Sequence, residues 1–378
     1  MERKIRILHI AQSAGGVKRY IQMLVKYLDH TVFENYLLVS NDTDISTYTS
    51  VSDHVEQIDM RREIGLHDVS SIVAVRKVIR RTQPDIIYAH SSKAGALARL
   101  ANLGLNRPCI YNPHGWAFNM KESPKKQKLY AVLERVLTPL SDEIICISNT
   151  EKKSALQNRI CSESKITVIQ SGIDLERFSE KPEKPLSRNT LHIPENAFIV
   201  GMVGRLAKQK APDVFVEMAK EVLKNIPEAY FLMVGDGELR QQTEAQIAAA
   251  GMKDRFYITG WTDTPQDYVN LFDVAVLLSR WEGFGLVLPE YMLAGKPIVA
   301  AKVDAIPELI QDRVNGLLVE PEAPRAACDA VYELYRDAEL REKFVRQGAL
   351  DVYEKYDVKR VAEAHKCLFQ RLAETIRE

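Results

Sequence analysis

The sequence has no apolar run near the ~20 residues a bilayer span requires, and no C-x-x-C pair among Cys109, Cys146, Cys161, Cys328 and Cys367. A membrane-spanning chain, a zinc ribbon and a disulfide framework are therefore not expected, and an odd number of scattered thiols suits a reducing cytosol. Glycine and proline are sparse, 18 and 16 in 378 residues, which excludes collagen-like and low-complexity chains. No complete G-x-G-x-x-G occurs. Gly201-Met-Val-Gly204 reads as a strand and its end, which argues against a nicotinamide dehydrogenase. The opening Met-Glu-Arg-Lys leads straight into a strand-like run, so no secretory signal is expected. Net charge is zero, but up to Gly172 there are 24 Lys and Arg against 17 Asp and Glu, and from Ile173 onward 27 against 34. A basic first half suits a phosphate-bearing substrate or an anionic lipid surface; drift between two ordinary domains would look the same.

What is present is a soluble mixture, 46% hydrophobic and 27% charged, long enough for two domains. Ile- and Val-rich runs alternate with helix-like stretches. Strands are expected at Ile5–Ile10, Tyr36–Val39, Asp85–Tyr88, Cys109–Tyr111 and Glu143–Ile147. A second series follows at Phe198–Val203, Tyr230–Val234, Arg255–Ile258, Val274–Leu277, Pro297–Ala300 and Gly316–Val319. Apolar strands separated by helices describe parallel sheets covered on both faces, so two doubly wound α/β domains are predicted. The polar stretch from Ile173 to Pro194, with Pro182 and Pro185, separates the series, and a helix is expected over Val358–Ile376.

Open α/β sheets bind ligands where strands give way to helices. Gly15-Gly16 forms the first such turn, ahead of a helix expected over Val17–Leu28. It permits close backbone approach to an anion, although many such turns are only turns. After Phe198–Val203 come Arg205 and, five residues on, Lys210, two cations beside a helix start that suit a diphosphate; a solvated basic loop would read alike. A second glycine turn, Gly235-Asp236-Gly237, closes the next strand. Between Ser279 and Pro297, Glu282 and Glu290 bracket a loop holding Gly283 and Gly285, with Pro289 suited to a first helical turn. Paired carboxylates there suit the vicinal hydroxyls of a sugar, and a helix-favouring role for Glu290 does not account for Glu282.

The spacing of Glu282 and Glu290 resembles the signature of family 4 glycosyltransferases, which have the GT-B fold. So do Gly15-Gly16, Asn112-Pro-His114-Gly115, Ser171-Gly-Ile-Asp174, the Gly204-Arg205…Lys210 loop, Gly235-Asp-Gly237-Glu238 and Asn315-Gly316, in order over nearly the whole chain. More loosely, the chain is similar to bacterial enzymes that build capsular and other lipid-linked surface polysaccharides. The resemblance implies two Rossmann-like domains facing across a cleft: residues 1–172 for the acceptor, 173–357 for the nucleotide-sugar donor, and a helix over 358–378 crossing back to the first. Arg205 and Lys210 would bind the donor diphosphate, and Glu290 the ribose. Glu282 would contact donor-sugar hydroxyls, with Gly283, Phe284 and Gly285 lending backbone amides. His114 would sit near the anomeric centre, and Gly16 would approach the phosphates. Two departures stand: Lys210-Ala211 where the family usually has Lys-Gly, and Asp304-Ala305 where it often shows Gly-Gly before Ile-Pro-Glu; the second puts the family's donor-side details near Asp304, such as sugar selectivity, in doubt.

The implied activity is retaining, metal-independent transfer from a nucleoside-diphosphate sugar, expected to be UDP-linked, to a lipid-linked saccharide. The expected setting is the cytoplasm, at the inner face of the cytoplasmic membrane, with peripheral association, no cofactor and no nucleic-acid partner. A hydrolysing sugar-nucleotide epimerase of the same architecture is the alternative; a sugar-nucleotide-binding scaffold and a glycosidase are weaker. Asp42-Thr-Asp44 matches the Asp-x-Asp with which metal-dependent transferases hold a divalent ion, but it is also ordinary loop spelling. In the stretch Met120–Leu137, Lys121, Lys125, Lys126 and Lys128 precede Leu129, Val132, Leu133 and Val136, an apolar stripe at helical spacing. It either packs on the first sheet with the lysines merely solvated, or docks at a membrane surface where the lysines meet anionic headgroups or an acceptor's lipid diphosphate.

Overall fold

The computed structural model describes residues 3–12, 15–61, 63–179 and 186–377. Pro182 and Pro185 lie outside the described residues. The chain divides into two compact units, Met1–Gly172 with Val358–Glu378, and Ile173–Asp357.

Unit 1 is built on strands β1 (Ile5–Ala11), β2 (Phe33–Ser40), β3 (His54–Ile58), β4 (Ile86–His90), β5 (Cys109–Asn112), β6 (Glu143–Cys146) and β7 (Ile166–Val168). They form a parallel sheet ordered β3-β2-β1-β4-β5-β6-β7. The period of two sorts its faces. Ile5, Ile7 and Ala11 point to one layer with Ile21, Leu24 and Val25 of the helix Gly15–Tyr27 and with Phe369 of the last helix, Val358–Arg377. Leu8 and Ile10 point to the other, against Val75, Val78 and Ile79 of the helix His67–Thr82.

Unit 2 repeats the scheme with β8 (Phe198–Val203), β9 (Ala229–Val234), β10 (Phe256–Ile258), β11 (Val274–Leu277), β12 (Ile298–Ala301) and β13 (Leu317–Val319). Their order is β10-β9-β8-β11-β12-β13, again parallel. In each sheet the order reverses once, between β1 and β4 and between β8 and β11. That switch point is where doubly wound sheets leave a crevice beyond their strand ends. His90 and His114 follow the reversal in unit 1; Arg205 and the Ser279–Glu290 stretch follow it in unit 2.

The helix Pro124–Leu137 has an inverted face. Its buried residues are Ala131 and Glu134. Leu129, Val132, Leu133 and Val136 are exposed, at 53% for Leu129 and 66% for Val136. The stripe therefore does not pack on the sheet. Glu134 fixes this rotation: one carboxylate oxygen lies 3.0 Å from the buried Arg99 guanidinium, and the other accepts from the Tyr111 hydroxyl at 2.7 Å. Arg99 stacks 4.1 Å above the Tyr111 ring.

Candidate active site

Glu282 carries the unit 2 cluster. Its carboxylate is buried, so it needs partners to stay charged. Oε1 accepts from Ser279 Oγ at 2.7 Å and from Lys210 Nζ, and its backbone N–H donates to Asp304 Oδ2 at 2.8 Å. Lys210 reaches it by running its stem over Gly204. Lys210 is therefore paired with Glu282. Arg205, at the start of this loop, is exposed, and among the described residues its guanidinium meets no hydrogen-bond or ion-pair partner.

The loops around this pair are tied on several sides. Arg280 forks onto Asp213 at 3.0 and 2.6 Å, binds Glu322, and donates to the Lys208 carbonyl at 2.9 Å. Those bonds, Asp213 first, hold its guanidinium still more firmly charged. Gln209 Nε2 donates to the Trp281 carbonyl at 3.0 Å. Glu290 is buried on the helix Val287–Leu293. Its neighbour Tyr291 ties that helix to β8 by accepting the Val203 N–H at 2.7 Å. Gly283, Phe284 and Gly285 form the intervening turn, Gly285 at φ +91° and Phe284 with a buried ring.

Gly235 has a packing reason of its own. It adopts φ +141°, a Cβ there would run into the Gly204 carbonyl, and its N–H donates to Thr259 Oγ1 at 3.1 Å. Both departures from the family pattern fall at left-handed residues: Ala211 at φ +51° and Asp304 at φ +42°. Such a conformation costs a non-glycine residue about 1–2 kcal/mol, and at Asp304 the bond from Glu282 N–H offsets it.

In unit 1, His114 lies beyond β5 at φ +52°, its N–H donating to Asn112 Oδ1 at 3.0 Å. Its ring stacks on His90, and Tyr20 meets it edge-on at 4.6 Å between centroids. Gly15 and Gly16 open the helix that supplies Tyr20. Behind His114 lies a polar network that sequence reasoning missed. His9, His90, Tyr20, Tyr88 and His365 are all buried, and the Tyr20 and Tyr88 hydroxyls lie 3.1 and 3.0 Å from His365 Nε2. The signal was a histidine in each of two apolar strands, inside β1 and at the end of β4. Ser279 and Asp304, which hold Glu282, also lacked a local signature.

The Asp-x-Asp carboxylates serve turns: Asp42 accepts from Ser40 Oγ, and Asp44 from the Ser46 N–H and hydroxyl at 3.0 and 2.7 Å. Among the described residues no group of three or more His, Cys, Asp or Glu is placed to hold a metal ion. No helix among them is long and apolar enough to cross a membrane.

Comparison with known proteins gives this arrangement a family. Residues 183–351 match the family model described as Glycosyl transferases group 1, and residues 14–177 match Glycosyltransferase Family 4. The chain is 30% identical over 326 residues to an Escherichia coli protein named UDP-Gal:alpha-D-GlcNAc-diphosphoundecaprenol alpha-1,3-galactosyltransferase, covering 84% of each. It is 23% identical over 339 residues to the capsular polysaccharide biosynthesis glycosyltransferase CapM of Staphylococcus aureus, covering 88% of each. The Anabaena protein HepE, solved in complex with UDP and glucose, shares the fold with a TM-score of 0.82 at 22% identity, over 99% of this chain and 100% of that one. The chain belongs to the family 4 glycosyltransferases and has the GT-B fold.

The buried imidazoles give unit 1 an acid-labile core. Burial lowers His9 to about 4, His365 to about 4 and His114 to about 3, and pushes His90 well below its ordinary value. Unfolded histidines titrate near 6.5, so below that pH the unfolded chain binds more protons. Stability is lost as the pH falls toward the folded values, by up to ~1.4 kcal/mol per pH unit for each ring. Thermal denaturation from about pH 7 down to about pH 4.5 should show a steadily falling midpoint for unit 1, with a shallower slope in His365→Gln. A midpoint flat across that range would contradict the assignment of neutral buried rings.

Proposed function

We propose that this protein is a retaining glycosyltransferase that moves a sugar from a UDP-linked donor to a lipid-linked saccharide in the synthesis of a bacterial capsular or other surface polysaccharide. The observation that carries the donor assignment is the Lys210–Glu282 pair beside Arg205, which is unpaired among the described residues, at the switch point of unit 2 in a member of this family. The UDP and lipid-linked parts are supported by the E. coli relative's name and by the UDP held in HepE.

In this reading Arg205 and Lys210 take the diphosphate, Glu290 the ribose and Glu282 the donor-sugar hydroxyls. Gly16, Gly235, Gly283, Phe284 and Gly285 offer backbone to the donor, Gly235 through its carbonyl side because its N–H is already given to Thr259. His114 serves the sugar near its anomeric centre. The bond from the anomeric carbon to the diphosphate oxygen breaks, and its electron pair leaves with the diphosphate. The acceptor hydroxyl attacks from the same face, and its proton passes to the departing oxygen. No protein nucleophile is needed. The work of the protein is to neutralise developing charge with groups already in place, each contributing on the order of 3 kcal/mol, or ~100-fold in rate. Because the two cations supply that charge, the reaction proceeds without a divalent ion.

The acceptor assignment rests on the helix Pro124–Leu137. Leaving four large apolar side chains in water forgoes about 1.5–3 kcal/mol for each one that burial would have gained. Lys121, Lys125, Lys126 and Lys128 flank them, all exposed. An apolar stripe edged with lysines suits shallow insertion into an anionic bilayer, each lysine adding ~1 kcal/mol near the surface. The bilayer also holds a lipid-linked acceptor.

Glu290→Gln and Lys210→Ala are each expected to lower transfer from a UDP-sugar about 100-fold or more while circular dichroism stays that of the folded chain. Near-wild-type turnover in either would remove the donor-site assignment, and release of UDP or an epimerised sugar without any acceptor would favour the epimerase. The same assay should be unaffected by a chelator; activity lost there and restored by magnesium or manganese would overturn metal independence. On vesicles, salt-sensitive binding to anionic liposomes is expected, weakened when Lys125, Lys126 and Lys128 are all changed to Ser. Equal binding to neutral and anionic vesicles, or binding to neither, would overturn the membrane assignment.

A further inference from the structure

The transfer chemistry uses His114 and leaves the imidazoles behind it unexplained. They form a row across four neighbouring strands. Asn35 on β2 lies 3.2 Å from His9 Nε2 through its Oδ1. His9 Nδ1, on β1, lies 3.2 Å from His90 Nε2, and His90 Nδ1, at the end of β4, lies 3.0 Å from His114 Nε2 beyond β5. Asn35, His9 and His90 are at most 1% exposed. A buried polar row of this length inside an apolar layer is costly unless each member is satisfied.

Its protons obey a simple rule. A neutral imidazole has one N–H and one bare nitrogen, so a linked row must point all its protons the same way. Asn35 Oδ1 only accepts, so His9 must donate from Nε2. His9 Nδ1 is then bare and takes the proton of His90 Nε2. His90 Nδ1 is bare in turn and takes the proton of His114 Nε2. The last nitrogen, His114 Nδ1, is left with its lone pair. Rotating the Asn35 amide would put Nδ2 against His9 and reverse every proton, so the end of the row farthest from His114 sets its state. Asn35 Nδ2 itself has no partner among the described residues. Burial keeps the rings uncharged, with His9 lowered to about 4 and His114 to about 3. A second set of bonds fixes His114 without touching its ring protons. Asn112 accepts the His114 N–H and donates to the Tyr88 hydroxyl at 3.2 Å.

We propose that Asn35, His9 and His90 are positioning residues that hold His114 in its Nε2–H tautomer, so that the bare Nδ1 accepts a hydrogen bond from a hydroxyl of the donor sugar. This rests on the reading of His114 as a donor-sugar residue. It adds a selectivity: a hydroxyl at that place is accepted, whereas a carboxylate, as in a uronic acid, sets oxygen lone pairs against a nitrogen lone pair and is rejected.

The test uses the full chain with ring-labelled histidine, read by two-bond proton–nitrogen correlation near neutral pH, with His114 assigned from a His114→Gln variant. The wild type is expected to show the proton on Nε2 and a bare Nδ1. Asn35→Leu, or His90→Phe, which keeps a ring in the stack, should give mixed tautomers at His114. Either should lower kcat/KM about tenfold while UDP affinity is unchanged; Asn35→Asp, which can only accept, should keep the wild-type ring pattern. A wild-type His114 protonated on Nδ1, or an unchanged tautomer in both Asn35→Leu and His90→Phe, would overturn the proposal. Undiminished transfer by His114→Gln would instead overturn the assignment of His114 to the sugar, and with it the selectivity, while the ring signals still report the row.

Discussion

A desolvated carboxylate needs its hydrogen bonds supplied, and the switch point of unit 2 is arranged around that need at Glu282. Lys210 and Ser279, from the segments that follow β8 and β11, donate to its carboxylate, and Asp304, after β12, accepts its backbone N–H. Removing a single partner from a buried ion pair strands the other charge, which is far costlier than the pair is favourable. The pair thus fixes the loops relative to one another. It also divides the cations: Lys210 is held in the cluster, whereas Arg205 stays outside it, exposed and unpaired among the described residues.

Unit 1 solves the opposite problem. Its polar groups at the switch point are kept neutral by burial and satisfied by one another. The two strategies suit different tasks. In the function proposed above, a fixed ion pair would present a constant field to a leaving diphosphate, where preorganised charge acts most strongly. A row of neutral rings presents a directional hydrogen bond whose sense is set at a distance, at Asn35. Glu134 belongs to the same pattern on the helix Pro124–Leu137, where a buried ionic contact decides which face of an element is shown.

Much of this was legible in the sequence where the signal is local. Strands β8 and β11, the apolar runs FIVGMV and VAVL, are found where their composition places them. The Glu282 and Glu290 spacing pointed to the loop that the structure shows at the switch point. Strands β3 and β7 were missed for physical reasons: HVEQI lies at a sheet edge with only Ile58 buried, and ITV is three residues long. Neither needs the continuous apolar run that marks a buried strand. The long-range partnerships were not legible at all. His9 and His90 read as isolated histidines in core strands, and nothing nearby connects residues 81 positions apart.

The helix Pro124–Leu137 shows why pattern alone stops short. Its stripe at three- and four-residue spacing describes an amphipathic helix equally well with either face inward. Burying Leu129, Val132, Leu133 and Val136 would gain several kcal/mol by area. The observed rotation gives that up and instead buries Glu134, which would carry a large desolvation penalty without Arg99 and Tyr111. The outcome is decided by residues 23 and 35 positions away in the chain, which reach Glu134 only once β5 and the helix Ser92–Ala101 are in place. The apolar face is therefore exposed because the ionic contact holds it there, and that contact lies out of reach of whatever covers the stripe. A surface set from beneath in this way can meet a second phase without the fold having to rearrange.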